Sequence, residues 1–291
     1  MTKSDQASQL RRLREQGITS ISPRRPRAIA VTGGKGGVGK SALAVNLAVT
    51  YAGLGARTLL VDGDLGMADL NLLLGVAPEH SALDVLQGLP VDQALVPAHG
   101  LHLLPALNGC FQLENMNGDA RSRLLDAIDG LASRFDTLVL DIGAGIGTNQ
   151  VEMTGVVPTV VIVATPEPLA LADAYACIKV LSRKQRLRRA YILPNRVRNQ
   201  DEADEVVSRL TALVNRFLDF SLQPLPAIPF DSTVSEAAAE GLPVVLSRPD
   251  SPASRAIRHA ARRLDVLSGE QDEPGPGRFF HRDRSRRGTG S

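Results

Sequence analysis

Tryptophan is absent from the 291 residues, and aromatic residues make up only 3%. Any core must therefore be built from Val, Leu, Ile and Ala, which suits buried parallel strands covered by helices. Cysteine is nearly absent too. Cys110 and Cys177 stand far apart, giving neither a disulfide framework nor a metal-ligand spacing. No apolar run is long enough to span a bilayer. The polar, basic N-terminus has no apolar segment behind it and does not read as a secretory signal, so the expected location is the cytoplasm. A strong excess of one charge is also lacking. The net charge is +2, but it is unevenly spread. Residues 1–27 carry seven Lys/Arg against two acids, and residues 270–291 five Arg against four. The body between them is left slightly acidic, which argues against a dedicated nucleic-acid binder.

Four regions follow from composition. Residues 1–17 hold a short polar helix, and 18–27 read as a linker because prolines and arginines follow a Ser/Thr cluster. Residues 28–267 alternate apolar runs with helical patterns. Residues 268–291 are rich in Gly, Pro and charge and read as a basic, disordered tail. Within the body, strands are expected over 27–33, 57–63, 101–106, 136–142, 159–165, 189–195 and 224–230. Helices are expected over 40–53, 81–88, 118–133, 168–184, 201–219, 232–240 and 251–267. The alternation predicts an α/β fold, a mostly parallel sheet flanked by helices on both faces. Ligands then bind at the carboxyl ends of the strands. No repeat of 20–50 residues is evident.

The stretch "GKGGVGKS", Gly34 to Ser41, matches the phosphate-loop pattern G-x-x-x-x-G-K-S/T in full. It follows a β-branched strand and opens a helix, which is the context the motif requires. Gly34, Lys35, Gly36, Gly37, Val38 and Gly39 supply backbone amides that turn inward around phosphate oxygens. Lys40 reaches the β- and γ-phosphates, Ser41 ligates Mg²⁺, and Ala42 continues the helix whose N-terminus adds partial positive charge. Asp62 and Asp64 end the second expected strand, and Asp141 ends the fourth. Carboxylates there can hold Mg²⁺ and its waters or orient an attacking water. Any one of them alone could instead be a helix cap.

The loop with its additional lysine, "KGGVGKS", resembles the deviant phosphate loop of the MinD/ParA ATPases. "VDGDLGMADLNLLLG" resembles their first switch and "DIGAGIG" their second. The likeness covers residues 27–246. It implies an ATP-dependent homodimer in which Lys35 crosses to the partner's phosphates, in the manner of an arginine finger. By the same resemblance Asp64 positions the attacking water, Asp62 and Asp141 act around Mg²⁺, and Asn46 braces the first switch. Asn195 reads adenine, where a side-chain amide can supply both a donor and an acceptor; a helix-capping role is the alternative. Pro229, Phe230 and Asp231 border the base.

The segment Asp5-Gln6-Ala7-x-x-Leu10-Arg11 resembles the DQAxxLR stretch of the FlhG family, also called FleN, which sets flagellar number and activates the GTPase FlhF. Ala7, Leu10 and Leu13 form one narrow apolar face, too thin and short to hold a helix alone in water. Such a segment is suited to folding on a partner. The resemblance implies further partners in flagellar switch-ring (C-ring) proteins and a flagellar master transcription activator. It also implies a peripheral place at the inner membrane or cell pole. The tail departs from the family, whose members commonly end in a membrane-binding amphipathic helix. Here Phe279 and Phe280 are followed by almost nothing apolar. Weak attachment to anionic lipid and a plain disordered tail are both open. The run "RKQRLRR" at 183–189 is read as helix-end cations rather than a DNA contact. A division-site or DNA-partition ATPase is the rival function. An iron–sulfur carrier would need paired cysteines at the dimer face, and Cys110 and Cys177 show no such placement.

Overall fold

The apolar runs become strands buried along almost their whole length. In this computed structural model residues 26–64, 69–106, 116–185, 187–268 and 278–281 are described. In chain order the elements are β1 (Arg27–Thr32), α1 (Lys40–Gly53), β2 (Thr58–Gly63), α2 (Leu70–Leu73), α3 (Ala82–Leu86), a 3₁₀ turn (Val91–Ala94), β3 (Val96–Ala98) and β4 (Leu101–Leu104). There follow α4 (Gly118–Asp129), β5 (Thr137–Ile142), α5 (Thr148–Gly155), β6 (Thr159–Ala164), α6 (Pro168–Lys184) and β7 (Arg189–Val197). The last are α7 (Gln200–Phe217), β8 (Ser221–Pro224), β9 (Ile228–Pro229), α8 (Ser232–Ala239), α9 (Val244–Ser247) and α10 (Pro252–Ser268).

The strands form one sheet in the order β3-β4-β2-β5-β1-β6-β7-β8, with β9 alongside β7. β3 runs antiparallel to β4, and the other described pairings are parallel. β1 thus lies mid-sheet between β5 and β6, so the loop that follows it opens at the centre of the strand-tip edge. The β2–β5 register sets Asp62 directly beside Asp141.

Two cores flank the sheet. One gathers residues of α1, α9 and α10, including the fully buried Tyr51, whose hydroxyl donates to the Ala261 carbonyl at 3.1 Å. Arg27 lies over the Tyr51 ring and pairs with Asp265 of α10, tying the first strand to the last helix. The other core gathers residues of α4 to α7. Into it also fold Phe279 and Phe280, at 0% and 6% exposure. Their backbone amides donate to Asp129 Oδ1 at 2.7 and 3.3 Å, and the His281 amide donates to the Val156 carbonyl at 3.0 Å. This departs from both readings left open for the two phenylalanines, a lipid contact and a plain disordered tail. Their apolar surface is spent inside the protein, and residues 278–281 form a docked strap rather than part of a disordered tail. The run at 183–189 behaves as expected: Arg183 and Lys184 lie in the last turn of α6, and Arg188 pairs with Asp219. No helix among the described residues is long and apolar enough to cross a membrane.

Candidate functional site

The loop after β1 is shaped by close approach and by backbone geometry. A Cβ on Gly34 would meet the Asp173 carbonyl oxygen of α6 at 2.0 Å, so only glycine lets the loop lie against that helix. Gly39 has φ +91°, and a Cβ there would stand 2.5 Å from Asn195 Nδ2. Beyond Gly39 the chain enters α1 with Lys40, which is 6% exposed. Gly36 and Gly37 face open space at the rim.

Below this loop sit the aspartates. Asp62 and Asp141 are 2% and 1% exposed. Asp62 Oδ1 accepts the Asp64 amide at 3.2 Å, but Asp62 Oδ2 and both Asp141 oxygens have no hydrogen-bond partner. Burial pushes Asp62 well above the usual carboxylate range, and the neighbouring Asp141 and Asp69 add to the rise. Burial likewise pushes Asp141 up to about 7, although the Ser41 hydroxyl and Lys40 pull it down. Asp69, which the sequence reading passed over, joins this group. Burial and Asp64 raise its pKa while Ser41 and Lys40 oppose them, and its Oδ1 is also unpartnered. The one available signal was its place as a third acid in "DGDLGMAD"; it stands at the N-cap of α2, yet makes no side-chain cap bond.

Buried carboxylate oxygens without donors, gathered beside a hydroxyl and an ammonium, call for a cation that brings its own ligands. Among the described residues no three His, Cys, Asp or Glu side chains form a metal cage. Mg²⁺ suits this arrangement, since it keeps several waters and takes phosphate oxygens rather than an all-protein shell. Ser41, Asp62 and Asp141 fit it, with Asp64 adjoining. The Asp64 carboxylate lies against Gly143 of the second switch, where a Cβ would approach its Oδ1 to 2.9 Å.

The expected adenine residues converge on a cavity of about 270 Å³ lined by Gly39, Ala42, Asn195, Arg196, Pro229 and Phe230, among others. Asn195 lies on a bulge of β7 against β9, and Arg196 after it has φ +58°. The Asn195 amide nitrogen donates to the Val38 carbonyl at 2.8 Å. That occupies one of its two N–H donors and leaves the second N–H and Oδ1 for a ligand, so the donor-and-acceptor role expected of it remains available. An acceptor there suits the exocyclic amino group of adenine and disfavours the carbonyl that guanine carries in its place. Arg196 lies over the Phe230 ring, 5.8 Å from its centroid, and donates to the Gly37 carbonyl at 3.4 Å.

Three of the expected residues have partners of their own within this chain. Asp231 borders the cavity, but its carboxylate caps α8 through the Thr233 amide at 3.0 Å and holds the Ala253 amide at 3.0 Å, so it serves the fold. Among the described residues the Asn46 side chain bonds to helices rather than to the first switch. Its side chain bonds the Ala42 carbonyl at 2.7 Å and the Val245 amide at 3.1 Å, joining α1 to α9. Lys35 makes an ion pair within its own chain, 2.7 Å to Glu167 at the start of α6. Asp5, Gln6, Ala7, Leu10 and Arg11 lie outside the described residues, as does Cys110.

A family model described as ParA, NUBPL iron-transfer P-loop NTPase, matches residues 25–265. Iron transfer is the property of the protein named there. In this chain Cys177 is buried, and burial raises its thiol to about 11, which does not suit a cluster ligand. Among curated relatives, the antiactivator FleN of Pseudomonas aeruginosa is 36% identical over 81% of this chain and 85% of its own. The flagellum site-determining protein YlxH of Helicobacter pylori is 34% identical over 73% and 72%. Among solved structures, septum site-determining MinD of Pyrococcus horikoshii, complexed with Mg-ADP, superposes with a TM-score of 0.69. It is 26% identical over 84% of this chain and 98% of that one. The chain belongs to the FlhG/FleN branch of the MinD/ParA superfamily of P-loop ATPases, enzymes that hydrolyse ATP with Mg²⁺.

Proposed function

We propose that this protein is an ATP-driven dimerisation switch that controls flagellar number and placement. What carries the flagellar reading is the 36% identity to FleN, together with the DQAxxLR-like segment at Asp5 to Arg11. In the reaction, loop amides and Lys40 bind and orient the phosphates, Asn195 and Phe230 seat the base, and Asp64 orients the attacking water. Ser41 and, through waters, Asp62 and Asp141 would hold Mg²⁺, which would supply charge neutralisation on the phosphates. Lys35 neutralises transition-state charge in the partner protomer, which makes both dimerisation and hydrolysis depend on ATP.

The domain plan is part of the proposal. Residues 1–17 activate the GTPase FlhF, 18–27 are the tether, and 28–267 are the ATPase. The two nucleotide states bind different partners, among them switch-ring proteins and a flagellar master transcription activator. The protein works in the cytoplasm, at the cell pole or the inner-membrane surface. A division-site ATPase is the second reading, favoured by septum site-determining relatives such as MinD of Bacillus subtilis at 30% identity. GTP turnover by purified FlhF with a peptide of residues 1–20 separates the two. Stimulation that disappears with Gln6→Ala supports the flagellar reading. Absence of stimulation leaves the ATPase intact and favours the division-site reading.

A further inference from the structure

Glu167 precedes Pro168 at the start of α6, at the N-cap position, yet its side chain makes no cap hydrogen bond. Pro168 presets the first turn by itself. The carboxylate instead takes the Lys35 ammonium at 2.7 Å, and Arg196 lies near enough to add to the cationic field around it. The two side chains of the pair are 36% and 60% exposed. An exposed pair of this kind is weak and readily exchanged. Lys35 is therefore held at the rim of the loop by a group that α6 does not need, on the open side of Gly36 and Gly37.

We propose that Glu167 is a positioning residue that stores Lys35 within its own protomer and sets how readily the lysine is given up to the nucleotide of the second protomer. This rests on the reading of Lys35 as a lysine that crosses an ATP-bridged dimer. One ammonium cannot keep the same geometry on Glu167 and on a phosphate of another chain. Each protomer must release its pair, so a two-fold symmetric dimer bears the cost twice. The effect on the dimer dissociation constant is then the square of the effect of one pair. A few-fold change per exposed pair becomes roughly tenfold per dimer. The carboxylate thus keeps nucleotide-free or singly loaded collisions from sticking, and a γ-phosphate is the anion that outcompetes it.

The test uses the full chain with Mg²⁺ and a non-hydrolysable ATP analogue, with dimer dissociation constants from sedimentation. Four proteins are compared: wild type, Glu167→Gln, Lys35→Ala and the double variant. Glu167→Gln is expected to dimerise about tenfold more tightly at low salt, with wild-type thermal stability and a gap that closes as screening rises. Lys35→Ala is expected to weaken the dimer, and adding Glu167→Gln to it is expected to change nothing. If Glu167→Gln leaves the dimer unchanged or weaker while Lys35→Ala weakens it, the storage role is wrong and the crossing lysine stands. The same holds if the tightening persists in the Lys35→Ala background. If Lys35→Ala dimerises like wild type, or no protein associates with nucleotide, the crossing lysine itself is wrong and Glu167 falls with it.

Discussion

Truncating Phe279 to Ala tests whether the strap is part of the fold. The ring is fully buried in the core formed by α4 to α7, and the backbone on either side is fixed to Asp129 and Val156. The neighbours are helices already anchored to the sheet, so the space left by the ring cannot easily collapse. A buried Phe→Ala change of this kind costs about 3–5 kcal/mol. Against a total stability of roughly 5–15 kcal/mol that is a large share. For a domain of this size it lowers the melting temperature by roughly 10 °C. Urea unfolding of the full chain, followed by far-ultraviolet circular dichroism, reads the loss as a lower midpoint at unchanged slope. Phe280→Ala, at 6% exposure, is expected to show a smaller loss in the same direction. The competing account has the two rings serving a lipid surface. It requires Phe279→Ala to leave the midpoint within about 0.5 kcal/mol of wild type and to reduce binding to anionic vesicles. That pair of results would refute the docked strap.

Three further outcomes are expected. Asp64→Ala lowers kcat by about 10²-fold or more while nucleotide affinity, read by a fluorescent ATP analogue, stays near wild type; an equal loss in affinity contradicts its assignment to the water rather than the nucleotide. Asn195→Ala weakens ATP binding by roughly tenfold and GTP binding far less, so calorimetry with both nucleotides is expected to show reduced discrimination; an equal loss for both removes the acceptor role of Oδ1. The hydrogen bond from Arg57 holds the Asp136 carboxyl below its usual range. A depressed folded pKa stabilises above the ordinary carboxylate value near ~3.9, and this is lost as pH falls through the lowered value. Asp136→Asn therefore flattens the acid limb of the stability–pH curve. At neutral pH it costs under ~1 kcal/mol, because Arg57 is largely exposed and the pair is screened. An unchanged acid limb places the titration elsewhere.

What could be read from sequence tracks what is local. β1, β2, β5, β6 and α1 are continuous apolar runs with strong boundaries and fall within a residue or two of expectation. The β3–β4 hairpin was missed because its turn is His99-Gly100, both at positive φ, where Asn-Gly or Asp-Gly would have signalled it. The expected strand over 224–230 breaks into β8 and β9, since Pro224, Pro226 and Pro229 remove ladder donors. α5 was missed because it follows the glycines of the second switch and its N-cap, Gly147, has no side chain to cap it. At the site, Gly34 to Ser41, Asp62, Asp64 and Asp141 were legible from spacing alone. The Lys35–Glu167 pair was not, because 132 residues separate its members and nothing in either segment names the other. The orientation of Asn195 depends on a bulge that only pairing with β9 creates. Phe279 and Phe280 stand among Gly, Pro and charge, so their destination in a core was hidden.

The mid-sheet position of β1 governs the order in which the chain can be made. Synthesis delivers the phosphate loop first, yet β1 gains its first lateral neighbour only at Thr137, 110 residues later. Its second neighbour, β6, follows. Until then the loop hangs on a strand with two open edges, and nucleotide has no base pocket, because Asn195 and Phe230 have yet to appear. Non-local pairing of this kind makes folding slow, and exposed edges favour aggregation of the nascent chain. The core on the α4-to-α7 side stays open longer still, since Phe279 comes after every described strand and helix. Released chains that stop before Phe279 are expected to be protease-sensitive on that face while α1 and α10 are already protected.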